Sequence, residues 1–166
     1  MQHIDRMKNI RVIVVILFIC DLIGYCIISI HHYEVEKATT YLTKQAQLKS
    51  QHECARYVRL AIQAGGCPTY FHPASAKDYD VFLPKLGFKE IPITGYKPVK
   101  GDIIVIKPPQ NQSKHEHGHI AMFNGKKWIS DFMQRDMYGG SIYRKKGTEY
   151  YLFRRSSGWG IRRWIL

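Results

Sequence analysis

The sequence predicts an α+β fold, because helical signals come first along the chain and strand signals follow them. Helix-type spacing of apolar residues follows Ser50 and stops at Gly65-Gly66. After Phe88 the pattern changes to short apolar runs, and Asn124-Gly125 is the dipeptide typical of a tight hairpin. The chain has 166 residues, which is room for one globular domain and little more.

Two helices are predicted in this domain. The first begins at a capping box, Ser50-Gln51-His52-Glu53, with Ser50 at the N-cap and Glu53 at N3. The glycine pair at 65–66 ends it. The second is expected over residues 76–86, capped by Ser75 and disturbed by Pro84.

Five strands are predicted after the helices, and together they form an antiparallel meander. They cover Lys89–Ile93, Asp102–Lys107, His119–Phe123, Trp128–Met133 and Glu149–Arg154. The register of the hairpin at Asn124-Gly125 stays open. A two-residue loop places His119 opposite Ser130, whereas a three-residue loop places it opposite Asp131.

The N-terminal segment is apolar enough to predict a membrane span. Residues 12–30 are nearly all apolar and would extend about 28 Å as a helix, enough to cross a bilayer core. The basic residues before this stretch predict a single-pass inner-membrane protein whose domain faces the periplasm. Secretion after cleavage of a signal peptide and a buried core helix are the alternatives.

These patterns divide the chain into four parts. They are an anchor or signal segment (1–30), a polar linker or stalk helix (31–49), a catalytic domain (50–155) and a basic-aromatic tail (156–166).

The net charge of +12 favours an anionic partner. Basic residues and aromatics alternate from Arg144 to the C-terminus, but no nucleic-acid motif accompanies them and no glycine-rich phosphate loop occurs. We therefore expect contact with an anionic envelope surface rather than with nucleic acid.

Cys54, His119 and Asp131 are the candidate catalytic residues. Cys54 lies in the first turn of the predicted helix, where the helix dipole favours the thiolate. A helix-start Cys followed by a strand His and a polar residue is the layout of a papain-like thiol enzyme, in which His119 moves the proton and Asp131 orients the imidazole. The Cys54 backbone N–H would meet the oxyanion, with Gln51 as a second candidate.

Three segments resemble the CHAP and NlpC-type amidases and peptidases that cut peptidoglycan. Residues 53–58 (ECARYV) are similar to the "C-x-x-Y-V" start, residues 100–106 (KGDIIVI) to a "G-D-[LI]-[VI]" strand, and residues 118–125 (GHIAMFNG) to the catalytic-histidine strand. Asp131 follows at about the spacing of the third polar residue of these families, although His, Asn or Glu is usual there. Glu53 replaces the usual Gln before the Cys.

The resemblance covers about residues 50–154 and implies a papain-like fold. It implies a thiol amidase or endopeptidase that cleaves an amide bond of the peptidoglycan peptide and needs no cofactor. It also places Tyr57 near the substrate. Some small relatives are toxins delivered into rival bacteria, which implies an antibacterial role and a cognate inhibitor protein.

Two other functions stay open. His115, His117 and His119 alternate in sequence, so an extended chain would bring them to one side as ligands of a metal-dependent hydrolase. The domain could instead be a non-catalytic, basic envelope-binding module. For Cys54 the alternative to nucleophile is a structural thiol or a disulfide with Cys67.

Overall fold

The computed structural model describes residues 26–109, 113–145 and 147–165, and it has the expected α+β architecture. Its helices are α1 (Val35–Gln45), α2 (Cys54–Ala64) and the single turn α3 (Tyr79–Phe82). Its strands are β1 (Cys26–Tyr33), β2 (Lys89–Ile91), β3 (Ile103–Ile106), β4 (His119–Phe123), β5 (Trp128–Ile129), β6 (Tyr150–Arg154) and β7 (Gly158–Ile165).

The central sheet has five antiparallel strands in the order β2-β6-β3-β4-β5. All four residues of β3, the central strand, are buried. Both of its faces are covered, which explains why its sequence is a continuous apolar run instead of an alternating one.

The first face of the sheet packs against α1 and α2. Val58, Ala61 and Ile62 of α2 are fully buried there, and α1 adds Ala38 and Leu42. Residues 35–45, predicted as a linker or stalk helix, therefore lie in the core of the domain, because one side of the helix is apolar.

The second face is covered by a loop instead of helices. Tyr143 is buried against Ile104, Ile106 and Leu152, and residues 137–142 pack around it. The segment between β5 and β6 therefore covers this face of the sheet, as α1 and α2 cover the other.

The β4–β5 hairpin has a four-residue loop, so both predicted registers are wrong. Phe123 pairs with Trp128, and Met122 with Ile129. The side chain of Asn124 accepts hydrogen bonds from the backbone N–H groups of Lys126 and Lys127, at 2.9 and 2.7 Å. This Asx-type turn widens the loop beyond Asn124-Gly125.

The predicted helix over residues 76–86 is broken into three short pieces. A 3₁₀ turn at Ala76–Asp78 precedes α3, and a second 3₁₀ turn, Pro84–Leu86, follows it. Pro84 lacks the N–H that would continue an α-helix. Gly87 then ends the segment in the left-handed conformation, at φ +83°.

The prediction of a single-pass inner-membrane protein is wrong. None of the helices in the described residues is long and apolar enough to cross a bilayer. Residues 26–30 of the predicted span belong to β1, whose backbone pairs with β7 in a separate two-stranded sheet. Residues 12–25 of that span lie outside the described part of the chain.

Candidate active site

Cys54 is the first residue of α2, whereas the sequence predicts it within the first turn of a helix that begins at Ser50, and the predicted capping box is absent. Neither Glu53, at the N-cap position, nor Ser50 caps the helix with its side chain. The carboxylate of Asp131, which is fully buried, accepts hydrogen bonds from the backbone N–H groups of Gln51 and Glu53 and from the Ser50 hydroxyl. A residue far along the chain thus holds the loop that presents the nucleophile.

The loop held by Asp131 has a strained backbone. His52 has φ +61°, in the left-handed region that residues other than glycine rarely adopt. Its neighbours Gln51 and Glu53 both donate to the same oxygen of Asp131, and its own N–H donates to the Ser50 hydroxyl at 3.2 Å. Burial raises the pKa of Asp131, but these hydrogen bonds hold it below the ordinary value. The carboxylate is therefore charged at neutral pH.

The Cys54 thiol is half-buried beside the start of β4. The backbone N–H of Ile120, the residue after His119, lowers the pKa of the Cys54 thiol. Burial, helped by the Asp131 carboxylate and opposed by backbone N–H groups, raises the pKa of the Cys54 thiol to about 11. The backbone N–H groups of Cys54 and Ala55 at the helix start lower this pKa, in the direction that the sequence predicts, but burial outweighs them.

His119 is buried at the first position of β4, with 6% of its surface exposed. Its ring stacks on Tyr143 at a centroid distance of 5.4 Å, and the Tyr143 hydroxyl donates to the Gly118 carbonyl at 2.9 Å. Burial lowers the pKa of His119 to about 4. The imidazole is therefore neutral at pH 7 and available as a base.

Gly139 allows the loop over the second face to approach His119. Its φ is +70°, and a Cβ at this position would lie 2.5 Å from the Nε2 atom of the imidazole. Both the backbone conformation and the contact therefore require glycine here. The sequence marks Gly139-Gly140 only as a turn.

Gln134 is the site residue that the sequence analysis missed. Its side-chain nitrogen lies 2.8 Å from His119 Nε2 and 2.8 Å from the Ser130 hydroxyl oxygen, and its Oε1 is buried without a hydrogen-bond partner among the described residues. It follows β5 in a loop with no regular spacing. Nothing in the sequence distinguishes this glutamine from the others.

A continuous chain of hydrogen bonds joins Asp131 to His119. Ser130 donates to Asp131 at 2.9 Å and accepts from Gln134, which contacts His119. Asp131 thus meets the backbone before Cys54 directly and His119 only through two intermediates. Asp131 therefore binds the loop before Cys54, whereas the sequence predicts that it orients the imidazole.

Gln51 and Tyr57 have other surroundings than predicted. The exposed Gln51 side chain donates to the Lys49 carbonyl at 3.0 Å, and only its backbone joins the site. Tyr57 lines a separate cleft with Tyr41 and Leu60 on the other side of α2. Neither side chain meets Cys54 in a described contact.

The three alternating histidines do not converge on one point, although His115 and His119 both contact Tyr143. The His117 ring bonds to Ser75 at 2.8 Å, while the His115 ring packs edge-on against Tyr143. No group of three metal-ligating side chains is close enough to hold a metal ion in the described residues. The residues 113–115 form a 3₁₀ turn, so the extended chain that would align the histidines does not form.

Cys54 is a free thiol, and no disulfide joins it to Cys67. Cys67 is fully buried, and its sulfur lies near the Leu86 carbonyl and the Arg155 guanidinium. The disulfide alternative for Cys54 is therefore absent from the structure.

An open cleft of about 270 Å³ leads to Cys54. It is lined by the start of α2 and by the loop before α3: His52, Glu53, Cys54, Ala55, Arg56, Ala74, Ala76 and His117. Arg56 pairs with Glu53 at 2.6 Å on its rim. The cleft opens the Cys54 end of α2 to solvent.

Comparisons with known proteins identify relatives by structure. The chain is similar to a chain in the crystal structure of the native type VI effector-immunity complex Tae3-Tai3 from Ralstonia pickettii, with a TM-score of 0.65 and 39% identity over 74% of this chain and 98% of that one. The selenomethionine form of the complex gives a TM-score of 0.62 and 39% identity over 70% and 98%. No protein-family model matches the chain, and no curated protein matches it significantly.

Proposed function

Because the chain belongs to the Tae3 family of type VI effectors, we propose that it is an antibacterial peptidoglycan hydrolase that uses Cys54 as nucleophile. Tae3 is a peptidoglycan amidase effector, so hydrolysis of the cell wall is the activity that the relationship favours. The proposed reaction is hydrolysis of an amide bond in the peptide of the wall by a papain-like thiol mechanism.

The observation that carries this proposal is the meeting of Cys54 and the start of β4 at one edge of the core. The helix α2, which begins with Cys54, packs against β4, which begins with the buried His119. The Tyr143 ring stacks on the imidazole, and its pKa is raised to about 12 by burial and, less strongly, by the Cys54 charge. The thiol lies beside an open cleft.

The resting site holds a neutral thiol and a neutral imidazole, since the pKa of Cys54 is near 11 and that of His119 is near 4. His119 therefore takes the thiol proton as the sulfur attacks the amide carbonyl, rather than starting from a preformed ion pair. The oxyanion that forms is met by backbone N–H groups of the first turn of α2. These groups also face the sulfur in the free enzyme.

Gln134 fixes which nitrogen of His119 accepts this proton. The amide of Gln134 contacts Nε2 of the ring, so Nδ1 is the ring nitrogen left to accept the thiol proton. The orientation of the amide and the tautomer of the ring are set together by this contact, at 2.8 Å.

The cycle is completed by hydrolysis of the acyl-enzyme. The imidazolium of His119 gives its proton to the leaving amine as the C–N bond breaks, which leaves a thioester on Cys54. Water then attacks the thioester with His119 as base. The products are a carboxylic acid and the regenerated thiol.

Two further features support the proposal. The Cys, Gly-Asp and His segments resemble CHAP and NlpC-type enzymes, and in the structure they are α2, β3 and β4. The similar solved structures are effector-immunity complexes, so we propose that a cognate immunity protein inhibits this chain as well.

The test is digestion of purified peptidoglycan, with mass analysis of the released fragments. Wild type should release peptide fragments that identify the bond cut, and Cys54→Ala should release none. Cys67→Ala is the matched control, since it removes the other described thiol from the core and should retain activity if the protein is folded. Full activity of Cys54→Ala would refute the thiol mechanism. Binding to the wall without turnover by wild type would favour a non-catalytic module.

A further inference from the structure

A second cleft lies along α2 beyond the one that leads to Cys54. It has a volume of about 380 Å³ and is lined by one aromatic pair with four polar residues: Arg59, Gln63, Thr69, Tyr70, Phe71 and His72. The mechanism above uses none of these residues.

The two clefts share the same two walls. Ala55 lines the first cleft, and Arg59 and Gln63 line the second, at successive i, i+4 positions on one face of α2. The opposite wall is the segment 69–76, whose later residues line the first cleft and whose earlier residues line the second. The segment therefore runs antiparallel to α2, and from residue 55 to residue 63 the helix rises about 12 Å.

The second cleft displays its aromatic rings to solvent. Tyr70 is 66% exposed and Phe71 is 83% exposed, whereas the neighbouring Thr69 is buried. Phe71 also has φ +54°, so the chain holds this ring outward at some cost in backbone energy. Two adjacent aromatics on a polar surface are typical of a recognition site.

The chemistry of the lining matches a sugar. An aromatic ring can pack on the apolar C–H face of a pyranose, and the amide, guanidinium and imidazole groups around it can bond the ring hydroxyls. Four of the six lining residues are polar, which suits an amphipathic sugar better than an apolar protein segment.

We propose that this second cleft is a saccharide subsite that binds the glycan strand of peptidoglycan while the attached peptide extends to Cys54. The identity of the polymer rests on the proposed function. The position of both clefts between α2 and the segment 69–76 is the reason to assign both to one substrate. Binding of the sugar increases the residence of the enzyme on the polymer and takes no part in the chemical step.

The first experiment measures binding without catalysis. Cys54→Ala protein is mixed with peptide-free glycan chains prepared from peptidoglycan, and the bound fraction is measured with and without the added pair Tyr70→Ala and Phe71→Ala. We expect the double substitution to weaken binding about tenfold. Val81→Ala, which truncates an exposed apolar side chain on α3 outside both clefts, is the control and should bind like its parent. Phe71→Trp, which keeps an aromatic ring, should also bind.

The second experiment compares two substrates in the active protein. On intact sacculi the double variant should have a raised half-saturating substrate concentration. This rise should be at least about fivefold larger than the rise measured on a sugar-free wall peptide. Equal losses on both substrates would overturn the proposal, as would unchanged glycan binding. An effect confined to inhibition by an immunity protein would assign the aromatics to a protein interface instead.

The two experiments separate this proposal from the proposed function. If wild type cleaves neither substrate, the hydrolase proposal fails, whereas glycan binding by the Cys54→Ala protein still decides the fate of the sugar subsite.

Discussion

The two halves of the candidate site are held in place by different forces. The loop before Cys54 is fixed by polar contacts, because three donors from residues 50–53 converge on the Asp131 carboxylate. His119 is fixed mainly by packing, between the Tyr143 ring and the backbone of Gly139. The position of Cys54 should therefore depend on the charge of Asp131, whereas the position of His119 should depend on the shape and burial of its surroundings.

The largest expected effect tests whether the two halves act together. Cys54→Ala and His119→Ala should each lower the rate of peptidoglycan cleavage at least about 1,000-fold, because nucleophile and base act as one unit. The double variant should be no worse than either alone. Circular dichroism should show folded protein in each case. Additive losses in the double variant would mean that the two groups act in separate steps.

The burial of His119 should make the free energy of unfolding depend on pH. The pKa of His119 is lowered to about 4 in the folded state, so between pH 6.5 and 4 the unfolded chain binds the extra proton. Stability should therefore fall as the pH drops through this window, by up to about 3 kcal/mol. Asp131, whose pKa is lowered, should add its own loss only at still lower pH.

Denaturant titrations at several pH values measure this dependence. His119→Gln should flatten the slope between pH 6.5 and 4, whereas an equal slope in the variant would assign it to other groups.

Asp131→Ala removes the carboxylate that holds the loop before Cys54 by hydrogen bonds. Removal of the carboxylate leaves the Gln51 and Glu53 N–H groups without their acceptor, which should cost about 2–3 kcal/mol of stability. We expect cleavage to fall about 30-fold from misplacement of Cys54, a value within the usual cost of lost positioning. Ser130→Ala is the matched control, since its hydroxyl touches Asp131 but not the nucleophile loop, and it should lose less.

Alkylation of Cys54 separates positioning from general destabilisation. The Asp131 carboxylate raises the pKa of the thiol, so Asp131→Ala should move the pH profile of alkylation to lower pH. A purely structural residue would leave that profile in place. The thiol of Cys67 is buried and should not interfere while the protein is folded.

The smallest expected effect concerns the tautomer of His119. Gln134→Ala should lower the maximal rate about tenfold without a matching change in half-saturation, because the ring is still present but its Nε2 atom is no longer held by Gln134. Gln134→Glu should restore orientation and shift the pH profile of the rate. Arg135→Ala, an exposed neighbour, is the control. A profile unchanged in both Gln134 variants would exclude a role in positioning the proton.

Local signals predicted the elements that carry Cys54 and His119. The glycine pair marks the end of α2, and the apolar run marks β3, because both depend on residues adjacent in sequence. The hydrogen bonds of Asp131 join it to residues about 80 positions earlier in the chain. Local spacing cannot indicate such a contact, and it predicts the nearby Ser50 as the helix cap instead. Gln134 depends on the path of an irregular loop, and the apolar residues 26–30 pair with a strand at the other end of the chain. Such long-range pairings leave no mark in local spacing.

The edge strands of the central sheet limit aggregation of the folded protein at high concentration. Its edge strands, β2 and β5, contain only three and two residues, and two of those in β2 are the exposed Lys89 and Glu90. Such short, charged edges give a neighbouring molecule little backbone with which to extend the sheet. The wholly apolar strand β3 lies in the centre, where it is protected from intermolecular pairing. Aggregation through this sheet should therefore require unfolding of the domain first.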